Sequence, residues 1–435
     1  MLIRFFVKNY KSIKEQIVLD MTRSDGGVPS VVGNNINYLE QKIDGKNVPI
    51  CRIVAIFGPN ASGKSNILKA LLTMRQLVIN GETSNFYNPF VFSAETEKEP
   101  TELRIMFSKN GVIYDYGIVF DKKGIEHEYL KKQENGQDLC VFDTKNIKTI
   151  PLNAWTLHIC RRQTMLVCIG QNIKDDFKQD IENVINFFKQ DIVIADDINL
   201  LPIFDENIGY NMKVVTDILM DMDIGFCNID VKHEDRERLL STEFLDVKYV
   251  NDKKKDLEDK HTNCLISFDR YYDGKSVINH YDAYDVNMVY KRDDGSDKKM
   301  NLMRDESTGT KNLFRFVLFL MDVLKKGKII AFDEIDRTIH TELIHYIFSM
   351  IKAANLNTKN AQLICSSHNP CVMEYLDNSE ILIVNKNDSL STEAIRLSEY
   401  KLSDVKYHME KVIGYLRGRY KGVPNVSGVP EEMEL

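Results

Sequence analysis

The chain has 435 residues, of which 43% are hydrophobic and 28% charged, with a formal net charge of −7. That length accommodates two or three domains with real cores, and the acidic balance removes any global electrostatic case for nucleic-acid binding. The eight cysteines occur singly, without a CxxC pair, which fits buried thiols in a reducing compartment better than a disulfide framework or a zinc site. The opening run MLIRFFVKNYKSIK is too short for a signal h-region, and no apolar stretch reaches membrane-span length, so a cytoplasmic, membrane-free protein is expected.

In chain order, LIRFFV and QIVLDM alternate in a strand-like way around a polar turn at Asn9 to Lys14, predicting a hairpin. A Gly/Asn-rich loop, DGGVPSVVGNN, precedes a short apolar strand at Ile53 to Phe57. From about Leu103 to Leu130, short alternating strands separated by Lys-Asn-Gly and Lys-Lys-Gly predict a β-meander. DDFKQDIENVINFFKQ and GYNMKVVTDILMDMD show helical spacing, and the interval from about Gln163 to Leu240 reads as helical. Leu245 to Tyr290 reads as β again and includes the charged loop NDKKKDLEDKH. Beyond Asp305, helices alternate with the apolar runs KIIAFDE, AQLICSSH and EILIVNK, a rhythm that predicts a parallel sheet. The expected class is α/β, with a mixed or parallel central sheet, an N-terminal antiparallel part and a helical insertion. The expected divisions are 1–150, 151–245 (mainly helical) and 246–435.

Between Ile53–Phe57 and the amphipathic run NILKALLTMRQLVI lies GPNASGKS, Gly58 to Ser65, which satisfies G-x-x-x-x-G-K-[ST]. Strand, glycine loop and helix form the context a phosphate loop requires. Glycines let successive backbone N–H groups turn toward phosphate oxygens, and the helix N-terminus favours negative charge. Lys64 is placed to reach the β- and γ-phosphates of ATP, and Ser65 to coordinate Mg²⁺. The candidate nucleotide contacts are Gly58, Asn60, Ser62, Gly63, Lys64, Ser65 and Asn66. A glycine turn that merely caps a helix is the plainer alternative.

The run KIIAFDE ends in Asp333 and Glu334. Buried strands often end in an acid, so the pair is weak evidence alone and strong evidence beside a phosphate loop. Asp333 would hold Mg²⁺ through water, and Glu334 would orient and deprotonate the attacking water. Asp336 follows, as a plain N-cap or as a residue approaching a neighbouring subunit's site. AQLICSSHNP then ends another apolar strand in His368, whose neutral imidazole could hydrogen-bond a γ-phosphate. Earlier, DESTGTKNLF sets Ser307 and Gly309 ahead of the run LFRFVLFLMDVL, as a helix cap or as half of an active site.

Together these residues resemble the ATP-binding-cassette type of P-loop ATPase, in the branch of RecF, SMC and OLD proteins. RFFVKNYKSIKEQIVLDM resembles the opening of that branch, GPNASGKSN its phosphate loop, and Ser307 to Lys311 its signature. IIAFDEID corresponds to Walker B and D-loop, and CSSHNP to the switch histidine. ILMDMDIGFCNIDV, ESTGTKNLF and YLRGRYKGVPNV further resemble the AbiL/RloA-type ATPases of phage-defence loci, with OLD nucleases and the ATPase of the PARIS system as cousins. The resemblance implies a homo-oligomer, at least a dimer, that sandwiches ATP and Mg²⁺ head to tail. Each site would use Lys64, Ser65, Asp333, Glu334 and His368 from one chain, and Ser307 and Gly309 from the other. It also implies a separate effector, a nuclease or toxin, driven by the ATPase cycle, and leaves direct DNA binding in the RecF/SMC manner as the rival.

Three departures qualify this pattern. No Q-loop glutamine stands out, and Asn88-Pro89-Phe90 lies roughly where one is expected. The signature lacks the second glycine of the transporter form. The residues after His368 are too few for the Toprim domain of OLD nucleases, so this chain is not expected to be the nuclease. The middle is also too short for a long coiled coil and shows no sustained heptad.

Overall fold

The computed structural model describes residues 1–23, 38–80, 86–134, 136–145, 164, 166, 177–195, 212–222, 225–241, 256, 259–261, 263–272, 277–337, 339–400 and 408–420. They form two compact units: Met1–Ile194 with Lys326–Arg337 and Ile344–Leu435, and Ala195–Lys325 with Thr338–Leu343. The Gly/Asn-rich loop, most of NDKKKDLEDKH and the end of YLRGRYKGVPNV lie outside the described residues.

In the first unit, β1 (Leu2–Lys8) and β2 (Ile17–Asp20) form the expected antiparallel hairpin. Its turn is fixed by Asn9, which is fully buried. The Asn9 amide donates to the carbonyls of Thr96 and Glu99 and accepts from the Phe90 backbone. A second hairpin, β3 (Tyr38–Ile43) and β4 (Lys46–Cys51), turns on Asp44-Gly45, both at positive φ, the Asp-Gly arrangement that matches strand twist. Then come β5 (Ile53–Phe57), buried throughout, and α1 (Lys64–Asn80). The meander is β6 (Thr101–Lys109), β7 (Val112–Asp121), β8 (Gly124–Glu134) and β9 (Gln137–Asp143), joined to the first hairpin in the order β2-β1-β6-β7-β8-β9. Ile67, Leu71, Met74 and Val78, one stripe of α1, share a core with Leu103, Ile105, Phe107 and Tyr116 of the meander. Next, α2 (Lys178–Asn186) and a single π-turn lead to β10 (Ile192–Ala195).

The second unit contains α3 (Met212–Asp221) and an antiparallel sheet of β11 (Asn228–Ser241), β12 (Leu265–Tyr272), β13 (Val277–Lys291) and β14 (Asp297–Asn301). The helical reading therefore fails beyond Asn228. NIDVKHE alternates with period two, and the strand gains thirteen partners along β13, so long-range pairing decides its conformation. The β reading of Leu245 to Tyr290 holds over Leu265–Tyr272 and from Val277 onward, whereas Asp256, Asp259 and Lys260 are helical. A short helix α4 (Leu302–Asp305) and the long α5 (Thr308–Lys326) follow.

The first unit resumes with β15 (Ile329–Phe332), α6 (Thr341–Lys352), β16 (Gln362–Ser367), β17 (Ile381–Lys386), β18 (Thr392–Arg396) and α7 (His408–Leu416). They complete a sheet of order β10-β15-β16-β5-β17-β18. β15, β16, β5 and β17 run parallel, and β18 returns antiparallel. Strands covered on both faces carry unbroken apolar runs, as IVAIF and IIAF do here. The expected α/β class with a mixed central sheet and an N-terminal antiparallel part is the observed one. Because the strands are parallel, the segments after β5, β15, β16 and β17 all emerge along one edge, where ligands of open α/β sheets bind.

Candidate functional site

At that edge, the chain leaves β5 through Gly58 and enters α1 at Lys64. Both glycines are required by packing within the chain. A Cβ on Gly58 would stand 2.1 Å from the Val384 carbonyl oxygen of β17, and one on Gly63 would stand 2.2 Å from Thr392 Oγ1 of β18. Gly63 also sits at φ +109, and Ala61 in the loop at φ +62, conformations that strain an ordinary residue.

A hydrogen-bond chain ties the loop to its neighbours. Asn66 Nδ2 donates to Ser12 Oγ at 2.7 Å, Ser12 Oγ lies 2.7 Å from Thr392 Oγ1, and Thr392 Oγ1 donates to the Ser62 carbonyl at 2.9 Å. A carbonyl only accepts, so Thr392 spends its proton there and Ser12 donates to Thr392. The first hairpin turn, the phosphate loop and the start of β18 are thereby locked together.

Eight sequence-predicted residues, Asn60, Ser62, Gly63, Lys64, Ser65, Asn66, Glu334 and His368, line a cavity of about 550 Å³ together with Ser12, Ala61 and Lys386; Gly58, Asp333 and Asp336 are not among its lining residues. Lys64, only 5% exposed, donates to the carbonyls of Gly58 at 2.8 Å and Pro59 at 3.0 Å, and its ammonium lies 3.3 Å from His368 Nδ1. An ammonium only donates, so Nδ1 accepts and the ring proton sits on Nε2, which faces Glu334 Oε1 at 3.7 Å. Burial pushes the Lys64 ammonium below its usual pKa, while Asp333, Glu334 and Asp336 pull it back up.

The carboxylates are organised by Ser366, fully buried at the end of β16. Its hydroxyl donates to Asp333 Oδ1 at 2.5 Å and accepts from the Glu334 backbone N–H at 2.8 Å. Glu334 is held at φ +53, a sparsely populated conformation for a non-glycine residue. Asp336 accepts from the backbone N–H groups of His368 and Asn369, both at 3.0 Å. In this chain it therefore braces the β16 loop against the β15 loop.

Ser307 and Gly309 lie in the other compact unit. Ser307 Oγ accepts from the Thr310 backbone N–H at 3.1 Å, so it caps α5. Among the described residues a Cβ on Gly309 would meet nothing nearer than Ser307 Oγ at 3.6 Å, so their packing does not require glycine there.

The chemistry of the cavity fits a nucleoside triphosphate with Mg²⁺. A lysine ammonium is hydrogen-bonded to its own loop's carbonyls, and among the described residues the buried Ser62 hydroxyl has no partner. The hard oxygen donors Ser65 and Asp333 suit Mg²⁺. Sequence reasoning missed Ser12, Thr392 and Lys386, and noted Ser366 without a role. Thr392 and Lys386 reach the loop only through the pairing of β17 and β18, whereas Ser12 and Ser366 lie inside the runs KNYKSIK and CSSHNP without a local signal of their role.

Strand, phosphate loop and helix, with a carboxylate pair and a histidine at the ends of β15 and β16, define a P-loop ATPase-type domain. More particularly, residues 53–155 and 226–374, over half of the chain, match the family described as "AAA domain, putative AbiEii toxin, Type IV TA system", and the chain belongs to that family. Ser12 and Lys386 lie outside the matched residues. Among solved structures, the SMC head domain from Thermotoga maritima is similar at 14% identity and a TM-score of 0.40, covering 91% of this chain and 98% of that one. No curated protein matches the chain.

Proposed function

We propose that the protein is an ABC-type ATPase that pairs with a second copy around ATP and passes the state of the nucleotide to a separate effector, a nuclease or toxin, in anti-phage defence. The observation that carries the ATPase reading is the contact series Lys64–His368–Glu334, three motifs far apart in sequence brought into one cavity. Bound Mg²⁺·ATP would supply the phosphoanhydride and the divalent charge that polarises it. Lys64 neutralises phosphate oxygens, Ser65 and Asp333 offer oxygen ligands, and Glu334 accepts the proton of the attacking water. His368 lies between the Lys64 ammonium and the Glu334 carboxylate, within reach of a terminal phosphate.

Pairing with a second copy is supported by Gly309, in the first turn of α5, where among the described residues nothing presses on the position of a Cβ. Close approach of another molecule's phosphates to a capped helix N-terminus would call for glycine there. The effector and the defence setting are supported by the resemblance to phage-defence ATPases, and the family description, a putative toxin of a type IV TA system, supports a link to toxin–antitoxin function. The middle of the chain, around 151–245, is the natural place for partner recognition.

Glu334→Gln tests the reading. Turnover is expected to fall by a factor of about 10² to 10³, with ATP affinity retained and the ATP-dependent dimer accumulating in light scattering. Parental turnover in this variant overturns the assignment. Stimulation of the parent by DNA, with steep salt dependence, would favour the DNA-gripping alternative.

A further inference from the structure

The cavity holds a second cation that the motifs do not assign. We propose that Lys386 is a nucleotide-binding residue whose ammonium pairs with the α-phosphate of a nucleoside di- or triphosphate, at the end of the site remote from Glu334. The proposal rests on the reading of this cavity as an ATP site.

Sheet order sets the direction of the ligand. β5, which carries the phosphate loop, has β16 and β15 on one side and β17 and β18 on the other. Asp333, Glu334 and His368 all emerge from the β15–β16 side, so the phosphate to be cleaved faces that way. The nucleoside half of the ligand then belongs toward β17. There the strand's last residue, Lys386, lines the same cavity as Lys64 and Glu334.

The backbone that carries Lys386 is firmly seated. Lys386 pairs in register with Thr392, which donates through its backbone N–H to the Ser12 carbonyl at 2.7 Å and through its hydroxyl to the Ser62 carbonyl. The connecting turn is closed by Asn387, whose side-chain oxygen accepts from the backbone N–H groups of Ser389 and Ser391. A four-carbon stem on this fixed base carries an exposed cation at the cavity the loop lines, as suits a compact charge that meets phosphate without bidentate geometry. Among the described residues no carboxylate pairs with that ammonium. The neighbouring Glu393 is engaged by Asn387 Nδ2 at 2.9 Å.

The test is calorimetric titration of the full chain with Mg²⁺·ADP and Mg²⁺·ATP. Lys386→Gln is expected to weaken both about tenfold, the worth of one charged hydrogen bond. Lys386→Arg should recover most of the loss. Turnover at saturating ATP should stay within about twofold of the parent, since the α-phosphate contact is equal in ground and transition states. The melting temperature without nucleotide should not move, because the side chain is exposed. Parental affinity for ADP in Lys386→Gln overturns the proposal, as does a loss that arginine fails to restore. A fall in turnover with unchanged affinity overturns it too, by placing the lysine at the cleaved end. A parent chain that binds neither nucleotide overturns the ATP reading itself.

Discussion

Ser366→Ala isolates the feature that organises the two carboxylates. The hydroxyl is fully buried, donates to Asp333 and accepts from the Glu334 backbone N–H. Removing it deletes one bond to a charged acceptor, about 1.5–3 kcal/mol, and leaves one backbone donor unmade, about 1–3 kcal/mol. The Glu334 N–H contact is only part-buried, so water can take up part of the second cost. The lower end, about 2–3 kcal/mol, is the expected loss of stability. Catalysis should suffer separately. The Ser366 contact secures a peptide at φ +53, a conformation that costs about 1–3 kcal/mol and survives only under constraint. Once the hydroxyl is gone, that backbone relaxes and turns the Glu334 carboxylate away from the cavity. Turnover should fall about 30- to 100-fold, equivalent to roughly 2–3 kcal/mol of barrier, while ATP affinity changes little because the phosphate loop is untouched. Denaturant unfolding, calorimetric binding and single-turnover hydrolysis separate the three quantities. Ser367→Ala is the control: among the described residues that equally buried hydroxyl hydrogen-bonds only the backbone of Asn369, so its loss should leave turnover within about threefold. The reasoning fails if Ser366→Ala hydrolyses ATP at the parental rate, or if both variants lose turnover equally.

Two further predictions concern packing and pH. Gly63→Ala sets a methyl group 2.2 Å from Thr392 Oγ1 and 2.9 Å from Ser12 Oγ at φ +109; nucleotide affinity should fall by more than about 100-fold and stability by at least about 2 kcal/mol, and unchanged calorimetric binding would contradict it. Lys411, buried in α7 and donating to the Leu376 carbonyl, has its pKa lowered from 10.5 to about 8 by desolvation, against the opposing pull of Asp377 and Glu380, with Lys352 lowering it further. Between pH 8 and 10.5 the unfolded chain binds more protons than the folded one, so this group makes stability rise with pH across that window. Below pH 8 both states are charged and the burial cost is fully present. Relative to Lys411→Met, the parent should gain about 2 kcal/mol between pH 7.5 and 9.5 in urea unfolding; identical slopes for the two proteins would refute the assignment.

The phosphate loop was legible because its chemistry is local: eight consecutive residues between a buried strand and an amphipathic helix determine it. The runs ending in Asp333 and His368 were legible because parallel strands, covered on both faces, leave continuous apolar signatures. β11 was not, since its charged, weakly apolar run gains its conformation from pairing with β13. The β3–β4 hairpin did carry a signal, Asp44-Gly45, inside a stretch otherwise overshadowed by the loop before it. Ser366, Thr392 and Lys386 were illegible as functional residues for a different reason. Each is an ordinary residue at a strand end, and only the strand order β15-β16-β5-β17-β18 brings it to the phosphate loop.

That order also changes how mutations in the loop should be understood. Gly58 and Gly63 are usually explained by the phosphates they let approach, yet here each is already demanded by β17 or β18 before any ligand enters. A side chain at either position would push the loop off the strands that support it and break the series from Asn66 through Ser12 and Thr392 to Ser62. Lost activity on replacing these glycines therefore reports the seating of the loop as much as contact with nucleotide. Lys64 is different: its ammonium is held by two carbonyls of its own loop and by His368, all of which a phosphate could replace. Nucleotide affinity is thus best read at Lys64 and Lys386, and the integrity of the seat at Gly63 and Thr392.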